Sequence, residues 1–231
     1  MNERRGVVTA FVKRTDVKQG RVVVEYRSID DKLESNWAPI ATPMSGKGRG
    51  ALFMPEEGDE ALVAFQDGKF DSPYVVGFLW NGVQTSPEDD PENRVIVTPG
   101  GHQLRFEDKG PAKKIVIKST QHTVTLDDTP TAPNISINAG PAGIVSIKLN
   151  TTPPSITVSA GTGTVSMDAS GVAVTSAGTL TINATGAVAV NCPVLAVNSG
   201  IATFSGAVQC GALITNAVVS PLYTPGIGNL I

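Results

Sequence analysis

The sequence predicts an all-β chain built in two unlike parts, and three observations carry that expectation. Val172-Ala173-Val174-Thr175, Leu180-Thr181-Ile182-Asn183 and Val188-Ala189-Val190-Asn191 put apolar residues at every second position and recur eight residues apart. That is the period of a strand inside a longer repeat. Charge is confined: of 18 basic and 21 acidic residues, only Lys148 and Asp168 lie after residue 128, where Phe204 and Tyr223 are the only aromatics. The N-terminal part, finally, carries no convincing helical period.

In that N-terminal part, Gly6 to Val12, Arg21 to Tyr26, Gly50 to Phe53, Glu60 to Phe65 and Tyr74 to Trp80 are β-branched or aromatic-rich and bounded by Gly, Pro, Asp or Ser. Five short strands with a longer polar connection before Trp37 fit a small closed barrel, because closure removes exposed edges. An oligonucleotide/oligosaccharide-binding (OB) type barrel over residues 1–83 is expected. Residues 84–93 (QTSPEDDPEN) are Pro-rich and acidic with no apolar side chain, and read as a linker. From Arg94 the alternation becomes regular: Val95/Val97, Leu104/Phe106, Ile115/Ile117 and Val124/Leu126 form transition strands over 94–128. Ile135/Ile137, Val145/Ile147, Ile156/Val158 and Val165/Met167 then lead into the strict eights of 129–231.

Such strands each present one narrow apolar stripe, and the sequence offers no helix or second sheet to cover it. Three copies wound about one axis would supply the cover, giving a trimeric triple-stranded β-helix. Its core would hold Val165, Met167, Val172, Val174, Leu180, Ile182, Val188, Val190 and Cys192, with Thr, Ser and Asn outside and Gly at the corners. An interior so narrow excludes aromatics and charges, which accounts for the composition. Strands about 4.8 Å apart, roughly ten per chain, would make a needle on the order of 50 Å long. Cys192 and Cys210 share the parity of their apolar neighbours and are expected as small core residues.

A formal net charge of -3 with mixed signs gives no general pull toward nucleic acid or anionic membranes. Met1 leads into a short apolar run without a signal-peptide core, and no run approaches the ~20 residues of a membrane helix. A soluble chain that starts in the producing cell's cytoplasm is expected.

The run Met54-Pro55-Glu56-Glu57-Gly58-Asp59-Glu60-Ala61-Leu62-Val63-Ala64-Phe65, with Asp67-Gly68 and Pro73-Tyr74-Val75-Val76-Gly77-Phe78-Leu79-Trp80-Asn81, resembles the barrel of the phage baseplate spike family. That family includes baseplate assembly protein V and the spike half of the type VI valine-glycine repeat proteins. Asn93 to Thr98, Gly101 to Asp108 and Lys114 to Ser119 look like its barrel-to-needle segment. The resemblance implies a non-enzymatic homotrimeric central spike of a contractile phage tail or injection system. The barrel would seat on a separate hub protein, since no hub domain precedes it here. The needle would pierce the target cell envelope, and the spike would reside in the particle's baseplate. A proline-alanine-alanine-arginine (PAAR) repeat tip protein would cap the apolar end, docking on Leu222, Tyr223, Ile227, Leu230 and Ile231.

Chemistry is sparse. His102 and His122 lie 20 residues apart with no cluster at metal-ligand spacing, so neither metal nor other cofactor is expected. The pairs Glu56-Glu57, Asp59-Glu60, Asp89-Asp90 and Asp127-Asp128 read as solvated turns rather than a catalytic dyad. Lys113, Lys114 and Lys118 read as a solvated strand face. Gly46-Lys47-Gly48-Arg49-Gly50 lacks the Walker spacing and reads as a barrel loop, with hub docking as a second role. Phe53, Phe65, Tyr74, Phe78 and Trp80 are expected to fill the barrel or seal trimer and hub contacts rather than stack bases. A trimeric adhesin or tail-fibre-like receptor binder would need an aromatic-rich C-terminal head. A β-helical glycan-degrading enzyme would need carboxylates along the helix, where Asp168 and Lys148 stand alone.

Overall fold

In the computed structural model, which describes residues 6–217 and 219, the chain divides after Thr179. The first unit opens on β1 (Val7–Asp16), β2 (Arg21–Glu25), β3 (Ala38–Pro39), the two-residue strands β4 (Ser45–Gly46) and β5 (Arg49–Gly50), β6 (Glu60–Phe65) and β7 (Pro73–Phe78). Strand β1 alternates inward Ala10 and Val12 with outward Thr9 and Phe11, which fixes its face. Its first half pairs antiparallel with β6 and its second half with β2, and one extra residue at Lys13 bulges the second ladder. A bulge bends and twists a strand, and here it lets one strand serve both sides of a closing sheet. The order is β3-β2-β1-β6-β7. The ends meet where Ile40 bridges Val75 in parallel and the Ala41 amide donates to the Val75 carbonyl at 2.8 Å. The result is a five-stranded barrel with β1 shared, the expected OB-type arrangement.

Inside lie Ala10, Val12, Val22, Val24, Tyr26, Ala38, Ala61, Val63 and Val75, with Phe65 and Phe70 packed against them. The Tyr26 and Phe70 rings sit 4.9 Å apart and Phe65 and Phe70 5.1 Å apart, distances at which aromatic pairs add to their area burial. Burial pushes the Tyr26 phenol up to about 12; Ser35 pulls the other way, but the hydroxyl meets no partner with hydrogen-bond geometry. Of the aromatics expected to fill the barrel only Phe65 does. Phe53 and Trp80 are exposed, as are Tyr74 and Phe78, because they fall on the outward parity of their strands or beyond the strand ends. On the outer wall, Glu25 is buried between Arg27 (2.7 Å) and Lys13 (3.3 Å), and Arg27 lies 4.4 Å over the Phe11 ring. Arg27 first, then Lys13, holds the Glu25 carboxyl below its usual range against the cost of burial.

The expected strand at Gly50 to Phe53 is absent. Arg49–Gly50 instead forms a small ribbon with Ser45–Gly46, turning at Lys47-Gly48, and Leu52 and Phe53 stand exposed beyond it. Gly48 has φ +70, the left-handed region such a tight turn requires.

The same unit continues as β8 (Arg94–Val97), β9 (Gln103–Glu107), β10 (Lys114–Lys118), β11 (His122–Asp127), β12 (Asn134–Ala139), β13 (Val145–Thr151), β14 (Pro154–Ala160), β15 (Gly163–Asp168) and β16 (Gly171–Thr175). These nine strands form one antiparallel sheet in sequence order. Connections shorten along it, from six residues at 108–113 and 128–133 to two at 152–153, 161–162 and 169–170. Copies of the chain were expected to supply the pairing from residue 129 onward. Up to Thr175 the chain pairs with itself instead, because two-residue turns return each strand beside its predecessor.

The expected linker is not a free tether. Gln84 Nε2 donates to Asp59 Oδ1 at 3.2 Å, Glu88 meets Arg105 at 2.6 Å, and Lys109 meets Asp90 at 2.9 Å. Arg105 also donates to Glu107 at 3.0 Å, so the acidic run is stapled across β9 and the turn after it. The backbone N–H of Asp90 is the main reason the Glu88 carboxyl lies below its usual range, and Lys109 does the same for Asp90.

In the second unit, residues 180–217 form no strand among the described residues. Their backbone bends at 185–186, 193, 200, 205–206, 211 and 216.

Two predictions concern stability. Removing a buried hydroxyl that has no partner costs nothing and can help, so Tyr26→Phe should leave the denaturation midpoint of the barrel unchanged or raised. Tyr26→Ala should cost about 3–5 kcal/mol by emptying the aromatic cluster. The second concerns Asp127, opposite Lys114 in the β10–β11 register and 3.0 Å from its Nζ. Its carboxyl is lowered from 3.8 to about 2, chiefly by Thr129 and then by Lys114. Because the folded value lies below the unfolded one, the stabilisation is complete above about pH 4 and lost as pH falls toward 2. Acid unfolding of wild type and Asp127→Asn should therefore differ most above that window and converge below it.

Candidate functional site

The register of the nine-stranded sheet sorts its side chains by kind. On one face Phe106, Ile115, Leu126, Ile135, Leu149, Ile156, Met167 and Val172 are successive cross-strand partners, forming one apolar row from β9 to β16. A second row runs beside it from Ile96 through Leu104, Ile117, Val124, Ile137, Ile147, Val158, Val165 and Val174. Between them on the other face run Arg105, Val116, Thr125, Ser136, Lys148, Thr157, Ser166 and Ala173 in the same registers. Because side chains alternate across a strand, one pattern kept in register over every hairpin segregates an apolar from a polar face.

The apolar face is uncovered within one chain. Ile115 and Leu126 are half-buried, whereas every member of the first row from Ile135 onward is exposed, up to 63% at Val172. Large and contiguous apolar surface of this kind marks an interaction site. The sheet also ends in β16, whose outer edge has no partner strand among the described residues.

The residues expected as trimer core divide between the two units. Val165, Met167, Val172 and Val174 fall side by side on the apolar rows of β15 and β16. Leu180, Ile182, Val188, Val190 and Cys192 lie in the second unit, where each is exposed. Cys210 is exposed as well, and the two cysteines are free. Leu222, Tyr223, Ile227, Leu230 and Ile231 lie outside the described residues.

The polar groups are occupied with structure. Asp59 accepts the Glu56 amide at 2.8 Å, closing its own turn. Asp127 is no solvated turn residue but a strand residue bonded to Lys114 and Thr129; Lys114 likewise leaves the solvated group. Sequence alone missed this pair because neither neighbour in sequence marks the register that joins them. His122 Nδ1 accepts the Gly140 amide at 3.3 Å, and the His102 amide donates to Thr98 Oγ1 at 3.1 Å. Asp168 accepts from the amide and hydroxyl of Ser170, which hold its carboxyl below the usual range, while Lys148 stands on the polar face between Ser136 and Thr157. They form no acid–base pair. Among the described residues no group of three or more His, Cys, Asp or Glu is placed to hold a metal, and no helix is long and apolar enough to cross a membrane.

Residues 4–80 match the family described as Type VI secretion system/phage-baseplate injector OB domain. Over 114 residues the chain is 31% identical to the type VI secretion system spike protein VgrG4b of Pseudomonas aeruginosa, covering 43% of this chain and 14% of that protein. It is 33% identical over 112 residues to the spike protein VgrG5 of the same organism, covering 42% and 14%. Spike protein VgrG3 of Vibrio cholerae is 27% identical over 110 residues, covering 42% and 11%. The match thus spans less than a fifth of the length of each of these relatives. The closed five-stranded barrel is thus similar to the injector OB domain over residues 4–80, and the similarity to type VI secretion system spike proteins covers less than half of this chain.

Proposed function

We propose that the chain is the homotrimeric central spike of a contractile tail or contractile injection system, and that its function is mechanical. The observation that carries this reading is the pair of unbroken apolar rows. A single sheet nine strands long with one open apolar face needs two more such faces or an equivalent cover, and three copies facing one axis supply it with identical surfaces. The polar rows then face outward, which suits a shaft that moves through water and headgroups.

Stiffness follows from the bonding. Ladder hydrogen bonds run along the needle, so bending it must strain many of them together. A separate hub protein would receive the barrel, where the β4–β5 ribbon and exposed Leu52, Phe53 and Trp80 offer contact surface. A PAAR-type tip protein would take the C-terminal end, and the envelope of the target cell would be the substrate of the thrust. Assembly would occur in the producing cell, with the mature protein in the particle's baseplate. No enzymatic step is needed for this role.

Sedimentation of the purified chain should give a trimer; a stable 24.0 kDa monomer would sink the reading. Val165→Asp puts three carboxylates on one axis in an apolar interior, so trimer yield should fall at least tenfold while residues 6–80 keep their folded signature. Particles assembled with that variant should lose delivery. Normal yield and delivery from Val165→Asp would remove the packing from which the function is argued.

A further inference from the structure

The turn by which the chain leaves the barrel is built for a reaction of its own. Asn81 and Gly82 lie just beyond β7, both exposed, and form the only Asn-Gly pair in the sequence. Asn81 Oδ1 accepts the backbone amides of Val83 at 3.1 Å and Gln84 at 2.8 Å. Those two bonds fold the carboxamide back over the intervening Gly82 peptide. They also withdraw electron density from Asn81 Cγ and stand where negative charge would build on Oδ1 if that carbon were attacked. Gly82 has φ +84, and a Cβ there would meet nothing within 4 Å beyond its own neighbours in the chain. With no side chain in place, its amide nitrogen is unshielded. An electrophile, two donors for its developing charge and an open nucleophile therefore meet in one turn.

We propose that Asn81 is a self-modification site at the exit from the barrel. The Gly82 nitrogen bonds to Asn81 Cγ, the bond from Cγ to Nδ2 breaks, and the Gly82 amide proton leaves with Nδ2 as ammonia. The product is a cyclic imide. Water, the one co-reactant, then opens either imide carbonyl. One opening gives an aspartate at position 81; the other gives an isoaspartate, in which the main chain runs through the former side chain. The two products differ in consequence. The Leu79 amide donates to the Glu60 carbonyl at 2.9 Å and Gln84 Nε2 donates to Asp59 Oδ1 at 3.2 Å, so both ends of the turn are pinned beside the start of β6. An aspartate keeps the turn, because its carboxylate accepts the same two amides. An isoaspartate adds a carbon atom to a span pinned at both ends, and the Gln84 anchor gives way. That anchor is the first of the contacts that fix the acidic segment after the barrel. Either product places a new carboxylate in a shallow depression that Arg27 and Glu60 also line. The site thus marks the age of the chain with a charge and, as isoaspartate, loosens the exit from the barrel. It goes beyond the spike reading and does not depend on it.

The test ages the purified full chain at mildly alkaline pH and maps its peptides by mass spectrometry, with isoaspartate labelled by an isoaspartyl methyltransferase. Asn198, exposed and followed by Ser199, is the internal reference. Asn81 should convert ahead of Asn198 and within about tenfold of its own rate in the denatured chain, a barrier difference of at most about 1.4 kcal/mol. Slower conversion, or conversion behind Asn198, would mean that the two amides only lock a turn, and overturns the proposal. Gly82→Ala, whose methyl group crowds the attacking nitrogen, should slow conversion by about tenfold or more; an unchanged rate overturns the assigned nucleophile. In aged protein the amides of Val83 and Gln84 should exchange faster than in fresh protein. Asn81→Asp, which carries the charge without the added carbon, should exchange there as the parent does. Equal exchange in aged and fresh protein overturns the loosening.

Discussion

Cross-strand register is the constraint on which the larger part of this structure depends. Leu149 opposes Ile156 and Ile135, and Ile147 opposes Val158 and Ile137, so each hairpin hands the same two apolar positions to the next. A slip of one residue in any hairpin would send every later apolar side chain to the polar face. The short turns enforce this, since Ala160 and Gly163 are joined by only two residues with Gly161 at φ +56, a conformation that other residues resist. Electrostatics reinforces it at Lys114, whose ladder partners are both acidic, Asp127 at 3.0 Å from its Nζ on one side and Glu107 on the other.

The barrel answers a different problem. A short five-stranded sheet must close, and it does so by bending β1 at Lys13 and by the single parallel bridge between Ile40 and Val75. Its interior is modest, mostly Val and Ala with one aromatic cluster, and much of its outer wall remains apolar. The acidic segment after it is fixed by Arg105 and Lys109. Those ion pairs are partly exposed and contribute little stability individually; as a group they direct where the chain enters the sheet.

Legibility tracked locality. Glu60–Phe65 was readable to the residue, and β2 nearly so, because alternation and flanking turns are local signals. The second half of β1 was not, since Lys13, Arg14, Thr15 and Asp16 are polar on both faces of a bulged, partly exposed strand. Sequence does not mark Tyr26 and Phe70 as core, and of the two roles expected for Phe53 and Trp80, barrel filling or sealing contacts, their exposure excludes the first, because inward or outward orientation is decided by the closure of the barrel rather than by residue type. The acidic pairs looked alike in sequence, yet Asp59 closes a turn, Asp90 holds Lys109 and Asp127 holds Lys114.

By itself, then, the sequence determined the all-β class, the OB-type barrel, the break in charge after residue 128 and the alternation that makes an apolar face, since each is a matter of composition and short period. Only the tertiary structure decided which strands pair with which. It showed nine of them pairing within the chain through Thr175 and none among 180–217. The same eight-residue spacing serves an intrachain hairpin and an interchain stack equally well, so spacing cannot choose between them; backbone hydrogen bonds, which join residues distant in sequence, make that choice.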